Sequence, residues 1–584
     1  MYRISFGILL LAALSGCGHG NVQLAAPAPP PADVVDAPGR VARISFIGGP
    51  VSLKAAGTES WVAAELNRPL TTGDELWADE NARVELALGH AFVRLNARSS
   101  LAILNLNDHG VQLSLPEGIA QVRLRRLDED DEFEISTPQA AFTLLRTGDY
   151  RFQADDGRSR SAIVRAGQVE AVAPNQTVTV RAQQAAKFEE SATPPYGLMP
   201  TPPLDGFDDF CRTRDQRAET ESAKHVSPYS IGREDLDENG SWSVDVAYGP
   251  MWFPRVAIAG WAPYRFGHWV WIEPWGWTWI DDAPWGFAPF HYGRWIFLRG
   301  AWGWVPGPVR VRAVYAPALV VFAGGGPGLR YYFSIGAGLG VAWFPLGPRE
   351  VYIPPYRASR IYVTNVNVSH TVIANNSNIW RTDMTRQSYM NRDVAGAITA
   401  VPEGVFGRGR TVPSARVAVT AQQARAMHIG GTAPPVTPRR EAVAPHAGGQ
   451  VRRPPEDITR RQATVRQKPA VAPTPFERGQ SERERDPGRP LNPAQVEGMR
   501  PVQPQVQPPY RQAPPRISQP NPQPAPTPRP SQPQPTPRRV DPPRTESPRA
   551  VENRRRSIEQ ERQRIENPRN RAGRVQTPPQ GRRQ

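Results

Sequence analysis

Cysteine is almost absent: Cys17 and Cys211 are the only two in 584 residues. So small a supply excludes a disulfide framework and a cysteine-based zinc site. Cys211 sits in the acidic stretch DDFCRTRD, read as a loop with no base nearby in sequence, so its thiol is expected to be structural or incidental. Long apolar runs are also scarce. Beyond the N-terminus no stretch reaches the roughly 20 residues that a membrane helix needs; Val309 to Phe322, for example, is broken by Arg312 and Pro317. No phosphate-binding loop, dinucleotide fingerprint, HExxH helix or GxSxG elbow is present, so no catalytic residue, cofactor or metal is assigned, and the expectation is a protein that is not an enzyme.

Proline and glycine are plentiful instead, at 65 and 49 residues. That implies long stretches without a packed core. The net charge is +15, and nearly all of it lies beyond Arg440, so the basic character belongs to a tail.

The chain opens MYRISFGILLLAALSGCGHG. Arg3 is followed by an apolar stretch, Ile4 to Leu14, too short to span a bilayer. Leu14-Ser15-Gly16-Cys17 resembles the bacterial lipobox. That resemblance implies a signal segment, residues 1–17, that ends at the lipobox Cys17, with cleavage ahead of Cys17, which becomes the new, acylated N-terminus with several acyl chains holding the protein stably on a membrane. Gly18 in the next position implies an exported, periplasm-facing protein of the outer membrane. Residues 18–40, rich in Ala and Pro, read as a tether.

From 41 to 187 short alternating runs recur, among them RVELAL, AFVRLN, LAILNL, AQVRLRR and SAIVRA, with Gly, Asn and Asp at the breaks. Apolar residues at every second position predict strands with one buried face, hence an all-β domain. TTGDELWADENARVELALGHAFVRL, ISTPQAAFTLLRTGDYRFQ and SAIVRAGQVEAV resemble the FecR-type domain. Its regulators relay a receptor signal to a sigma factor through a membrane helix and a cytoplasmic segment ahead of this domain. Neither is read here, so that role is not expected to carry over, although a sensor acting on an envelope partner remains an alternative. Residues 188–240 read as a polar linker with an acidic run at 233–239.

Residues 241–355 concentrate the tryptophans. WAPYRFGHWVWIEPWGW from Trp261 and FAPFHYGRWIFLRGAWGW from Phe287 align with each other, an internal repeat of about 26 residues. Each unit reads as a hairpin: His268 to Ile272, a Glu273-Pro274 turn, and a return from Trp275 to Ile280; then Trp295 and Phe297 opposite Trp302 and Trp304. Cross-strand aromatic pairs of this kind stabilise a sheet by up to about 1 kcal/mol each. Most of these rings are expected to be core, with Gly276 and Gly303 leaving room beside them. Trp269, Trp271, Trp285 and Trp295 are the candidates for faces left open to stack on a glycan, with Trp285 at the rim. The stretch resembles the DUF6600 family, which implies an architecture and no activity. Residues 356–436 read as a mixed, partly ordered extension.

Asp281, Asp282, His268 and His291 are the residues from which an acid–base set would be drawn. The adjacent aspartates are better explained as turn formers, and His291, aligned with Arg265, as a polar rim position. From 437 to 584 the chain is Pro, Gln, Arg and Ser, a composition that predicts disorder and a solvated spacer, with contact with anionic envelope polymers or headgroups as the alternative. Nucleic acid is not an expected partner of an exported protein. The reading is a non-enzymatic, lipid-anchored envelope protein with a binding or scaffolding role toward peptidoglycan or envelope proteins; a carbohydrate-active enzyme is the remaining alternative.

Overall fold

A computed structural model describes residues 34–499, apart from short breaks at 155–159, 174–175, 189–195, 218–220, 325–331, 336–337, 374–377 and 446–447. It also describes 510–512, 552–553 and 556–557. The first part is a β domain of 17 strands. The alternation read from the sequence is borne out: in Arg83–Ala87, Val84 and Leu86 point into a core of Val, Leu, Ile, Phe and Ala side chains. The strands form two sheets that share one long member, Gly110–Leu124. Its first half pairs with Ser99–Leu106 and, in parallel, with Glu132–Ser136. Its second half pairs with Ala91–Leu95 and Gly148–Ala154. The corner between the halves is Pro116-Glu117-Gly118. Gly118 has φ +94°, and a Cβ there would stand 2.2 Å from the Ser99 hydroxyl. Only glycine permits both that conformation and that approach.

The stretch read as a linker is partly a helix docked on this domain. Gly206–Gln216 begins with a capping box in which the Asp205 carboxylate accepts from the Phe207 and Asp208 N–H groups. The helix covers the outward face of the first sheet and buries Glu85 between Arg94 (2.7 Å) and Arg214 (2.6 Å). Burial opposes the Glu85 charge, but the two guanidiniums outweigh it and pull its carboxyl down to about 2. Arg94 also meets Asp215, and Arg165 meets Asp208, each at 2.7 Å. Cys211 therefore lies on a helix, not in a loop. It is buried, and burial pushes its thiol up to about 12, which suits an inert packing residue.

The tryptophan hairpins form as expected. Gly267–Ile272 pairs with Gly276–Asp281, setting Trp269 opposite Trp279 and Trp271 opposite Trp277. Arg294–Leu298 pairs with Ala301–Val305, setting Trp295 opposite Trp304 and Phe297 opposite Trp302. The second hairpin joins Gly240–Asp245 and Gly249–Pro254 in a four-stranded sheet. Gly303 does leave room: a Cβ there would stand 2.6 Å from the Met251 methyl. The core is larger than two stacked hairpins. Thr399–Pro402 and His428–Gly431, from the extension, complete a five-stranded sheet with Val320–Gly324 and Gly338–Pro345. Phe406 enters the aromatic cluster within 6 Å of Trp269, Trp277 and Trp343.

The structure describes the first part of the stretch beyond 437. Residues up to 499 are placed along the rest of the molecule, and several of their apolar side chains are buried, Val443, Ile458, Phe476 and Leu491 among them. Arg68 donates to Val443 O at 2.7 Å, Thr464 N to Thr137 O at 2.8 Å, and Phe476 N to Gly57 O at 2.9 Å. Most of the tail beyond 499 lies outside the described residues.

Candidate functional site

The β domain and the tryptophan domain meet around one buried guanidinium. Arg43 donates to Asn67 Oδ1 (2.7 and 3.1 Å), Asp235 Oδ2 (2.5 Å) and Pro284 O (3.1 Å). Asn67, held at φ 65°, turns its amide to donate to Asp281 O and Ala283 O at 2.8 and 2.7 Å. Asp235 comes from the acidic run and also meets Arg217 at 3.3 Å. The turn that ends the first tryptophan hairpin is thus bolted to the β domain by groups that are fully desolvated and mutually satisfied.

Beside this junction opens a cleft of about 730 Å³. Glu65 and Leu66 form one wall. His268, Ile280, Asp281 and Asp282, from the two ends of the hairpin, form the floor. Arg408 to Thr411, Ser414, Glu441, Pro445 and Gly448 line the rest of it. The 408–414 stretch runs along the hairpin edge, where Val412 N donates to Gly267 O at 2.9 Å.

The charges of the cleft are unevenly satisfied. Glu65 contacts Arg68 at 3.1 Å, and His268 Nε2 stands 3.2 Å from its other oxygen. Burial disfavours both charged forms. Each partner overrides it: the Glu65 carboxyl is held below its ordinary range, and the His268 imidazolium is favoured. The two are badly aligned, however, and His268 Nε2 has no hydrogen-bond partner although it is buried. Asp281 is buried, accepts from Ala283 N and Trp279 Nε1 at 3.1 Å each, and burial pushes its carboxyl well up. Asp282 is exposed at the rim; partial burial raises it, against the pull of His268 and with help from Glu65.

Of the four residues considered as an acid–base set, the fold brings together His268, Asp281 and Asp282. It sends His291 elsewhere. His291 is not at a rim, and neither is its counterpart Arg265; both are core residues, 0% and 3% exposed. The His291 Nδ1–H donates to Ala316 O at 2.8 Å, and burial lowers the imidazole to about 3. The sign of its effect on folding follows. The unfolded imidazole takes a proton near its ordinary 6.5 and the folded one only near 3, so stability is lost as pH falls below 6.5. At pH 5 that costs roughly 2 kcal/mol. Urea midpoints at pH 7.5 and pH 5 should therefore fall less for His291→Gln than for the wild type, and equal falls would refute the assignment.

The stacking candidates need correction. Trp269, Trp271 and Trp295 are 1% exposed and Trp285 is 4%. Trp285 is no rim ring: it packs within 7 Å of Trp252, Trp261, Phe290 and Trp295. Rings covered by other rings present no open face to a sugar. Glu65, Arg408, Arg410 and Glu441 were not foreseen, and nothing in their local sequence marks them, since they meet the hairpin only in the fold. Cys17 lies outside the described residues. Among the described residues no His, Cys, Asp and Glu group is arranged to hold a metal ion, and no helix is long and apolar enough to cross a membrane.

Two crystal structures of a candidate anti-sigma factor from Parabacteroides distasonis ATCC 8503 are similar to this chain at 18% and 17% identity. Each match covers 22% of the chain, with a TM-score of 0.20. The chain spans 59% of the length of those structures. No curated protein matches it significantly. Residues 233–350, from the acidic run through both tryptophan hairpins, match DUF6600, a family of unknown function.

Proposed function

We propose that this protein is a non-enzymatic, lipid-anchored protein of the cell envelope. Its FecR-like β domain and DUF6600 domain together act as a binding scaffold for peptidoglycan or another envelope polymer. The observation that carries the reading is the cleft of mixed charge beside the Arg43 junction. Groups that bolt two domains together hold the walls of a site between them at fixed separation, which lowers the ordering cost of binding. A cleft of this size falls within the range of ligand sites, about 300–1,000 Å³. The anchor is the acylated Cys17, reached through the tether at 18–40.

Purified protein lacking the acyl chains should sediment with isolated peptidoglycan sacculi; a protein left wholly in the supernatant overturns the binding role. The anchor has its own test. Cys17→Ser is expected to move the protein from the membrane fraction to the soluble periplasm, and unchanged fractionation removes the lipid from the proposal.

A further inference from the structure

The cleft at the domain junction combines features that point to one class of ligand. Its lining contains no Phe, Tyr or Trp ring, since the tryptophans of the hairpin below it are turned into the core. An uncharged sugar, which aromatic faces recognise, has nothing to stack on. Its charges are of both signs. Arg408, Arg410, Asp282 and Glu441 all line it and are exposed. None of the four is joined in an ion pair among the described residues, so the wall charges do not neutralise one another. His268, 8% exposed, also lines the cleft, but its Nε2 already faces the Glu65 carboxylate at 3.2 Å.

We propose that this cleft binds a zwitterionic ligand, a short peptide with a free ammonium and a free carboxylate. Asp282 and Glu441 take the ammonium. Arg410 and Arg408 take the carboxylate. Glu65 is already engaged by Arg68 and serves to hold the His268 ring in place. Guanidinium–carboxylate pairs are among the stronger and more directional contacts available to such a ligand. The inference rests on the reading of the cleft as a binding site and adds the chemistry of what enters it; the peptide stems of peptidoglycan carry groups of both signs.

The test is calorimetric titration of the full-length protein with trialanine, with its N-acetylated form and with its C-amidated form. Trialanine should bind saturably, and each cap should weaken binding by about tenfold or more. Asp282→Asn should abolish sensitivity to the N-acetyl cap and keep sensitivity to the amide. Arg410→Gln should do the reverse. Both residues are exposed, so unchanged near-UV circular dichroism is expected to show that both variants fold. Three forms of equal affinity, no saturable binding up to about 10 mM, or variants that respond alike would overturn the proposal. If trialanine fails while the protein still sediments with sacculi, the ligand class falls and the scaffold reading stands. If both fail, both readings fall.

Discussion

Trp269→Ala is expected to leave a protein that is protease-sensitive and close to unfolding. The ring sits among Trp279, Phe322, Trp343 and Phe406 with centroid separations of 5.3–5.5 Å. Removing a large buried aromatic costs about 3–5 kcal/mol, a large part of the 5–15 kcal/mol that a domain has in total. A milder pair of substitutions separates area from hydrogen bonding. The Trp269 Nε1–H is buried without a partner, so Trp269→Phe loses part of the packing but also removes an unsatisfied donor. The Trp304 Nε1–H donates to Tyr292 O at 2.9 Å, so Trp304→Phe loses similar packing and leaves a buried carbonyl stranded. The second variant should be the less stable by about 1–2 kcal/mol in urea unfolding. If Trp269→Ala instead proved fully stable, the ring would not be part of the core and an open aromatic surface would return as the candidate for binding.

Asp235→Ala should be nearly as damaging, for an electrostatic reason. It strands the Arg43 guanidinium, itself 0% exposed, with only the neutral Asn67 and Pro284 oxygens as partners. Breaking one side of a buried pair costs about 3–5 kcal/mol because the remaining charge stays desolvated. Arg43→Met relieves that charge. The double variant Arg43→Met with Asp235→Ala should therefore be no less stable than Asp235→Ala alone, with a coupling energy of about 2 kcal/mol or more in a double-mutant cycle. Additive losses would mean that the pair does not hold the junction. Limited proteolysis supplies a second readout: Asp235→Ala should expose cleavage sites between the two domains before either domain itself is cut.

Much of the local architecture was legible in the residues alone. Alternation at every second position marks strands because successive side chains on an extended backbone face opposite ways. It therefore announced the first domain and the two tryptophan hairpins; the pairing of Trp269 with Trp279 came from the structure. What periodicity cannot report is what covers a face. Trp285 breaks the alternating pattern and so resembled a rim residue, yet Trp252, Trp261 and Trp295 enclose it from other parts of the chain. Glu85 stands on the outward face of its strand and is buried only because a helix more than a hundred residues later arrives with Arg214. Composition is silent about part of the stretch beyond 437 for a related reason. A segment rich in Pro and Arg cannot build a core of its own, but Val443, Ile458, Phe476 and Leu491 are buried against surfaces that the rest of the molecule supplies. The cleft is the extreme case. Glu65, His268, Arg410 and Glu441 are scattered along the chain, and none carries a local signal of the others. Strands and hairpins were determined by neighbours in sequence; the buried arginine, the covered rings and the charged cleft were decided by packing between segments far apart, where desolvation and charge pairing act only once the chain has folded.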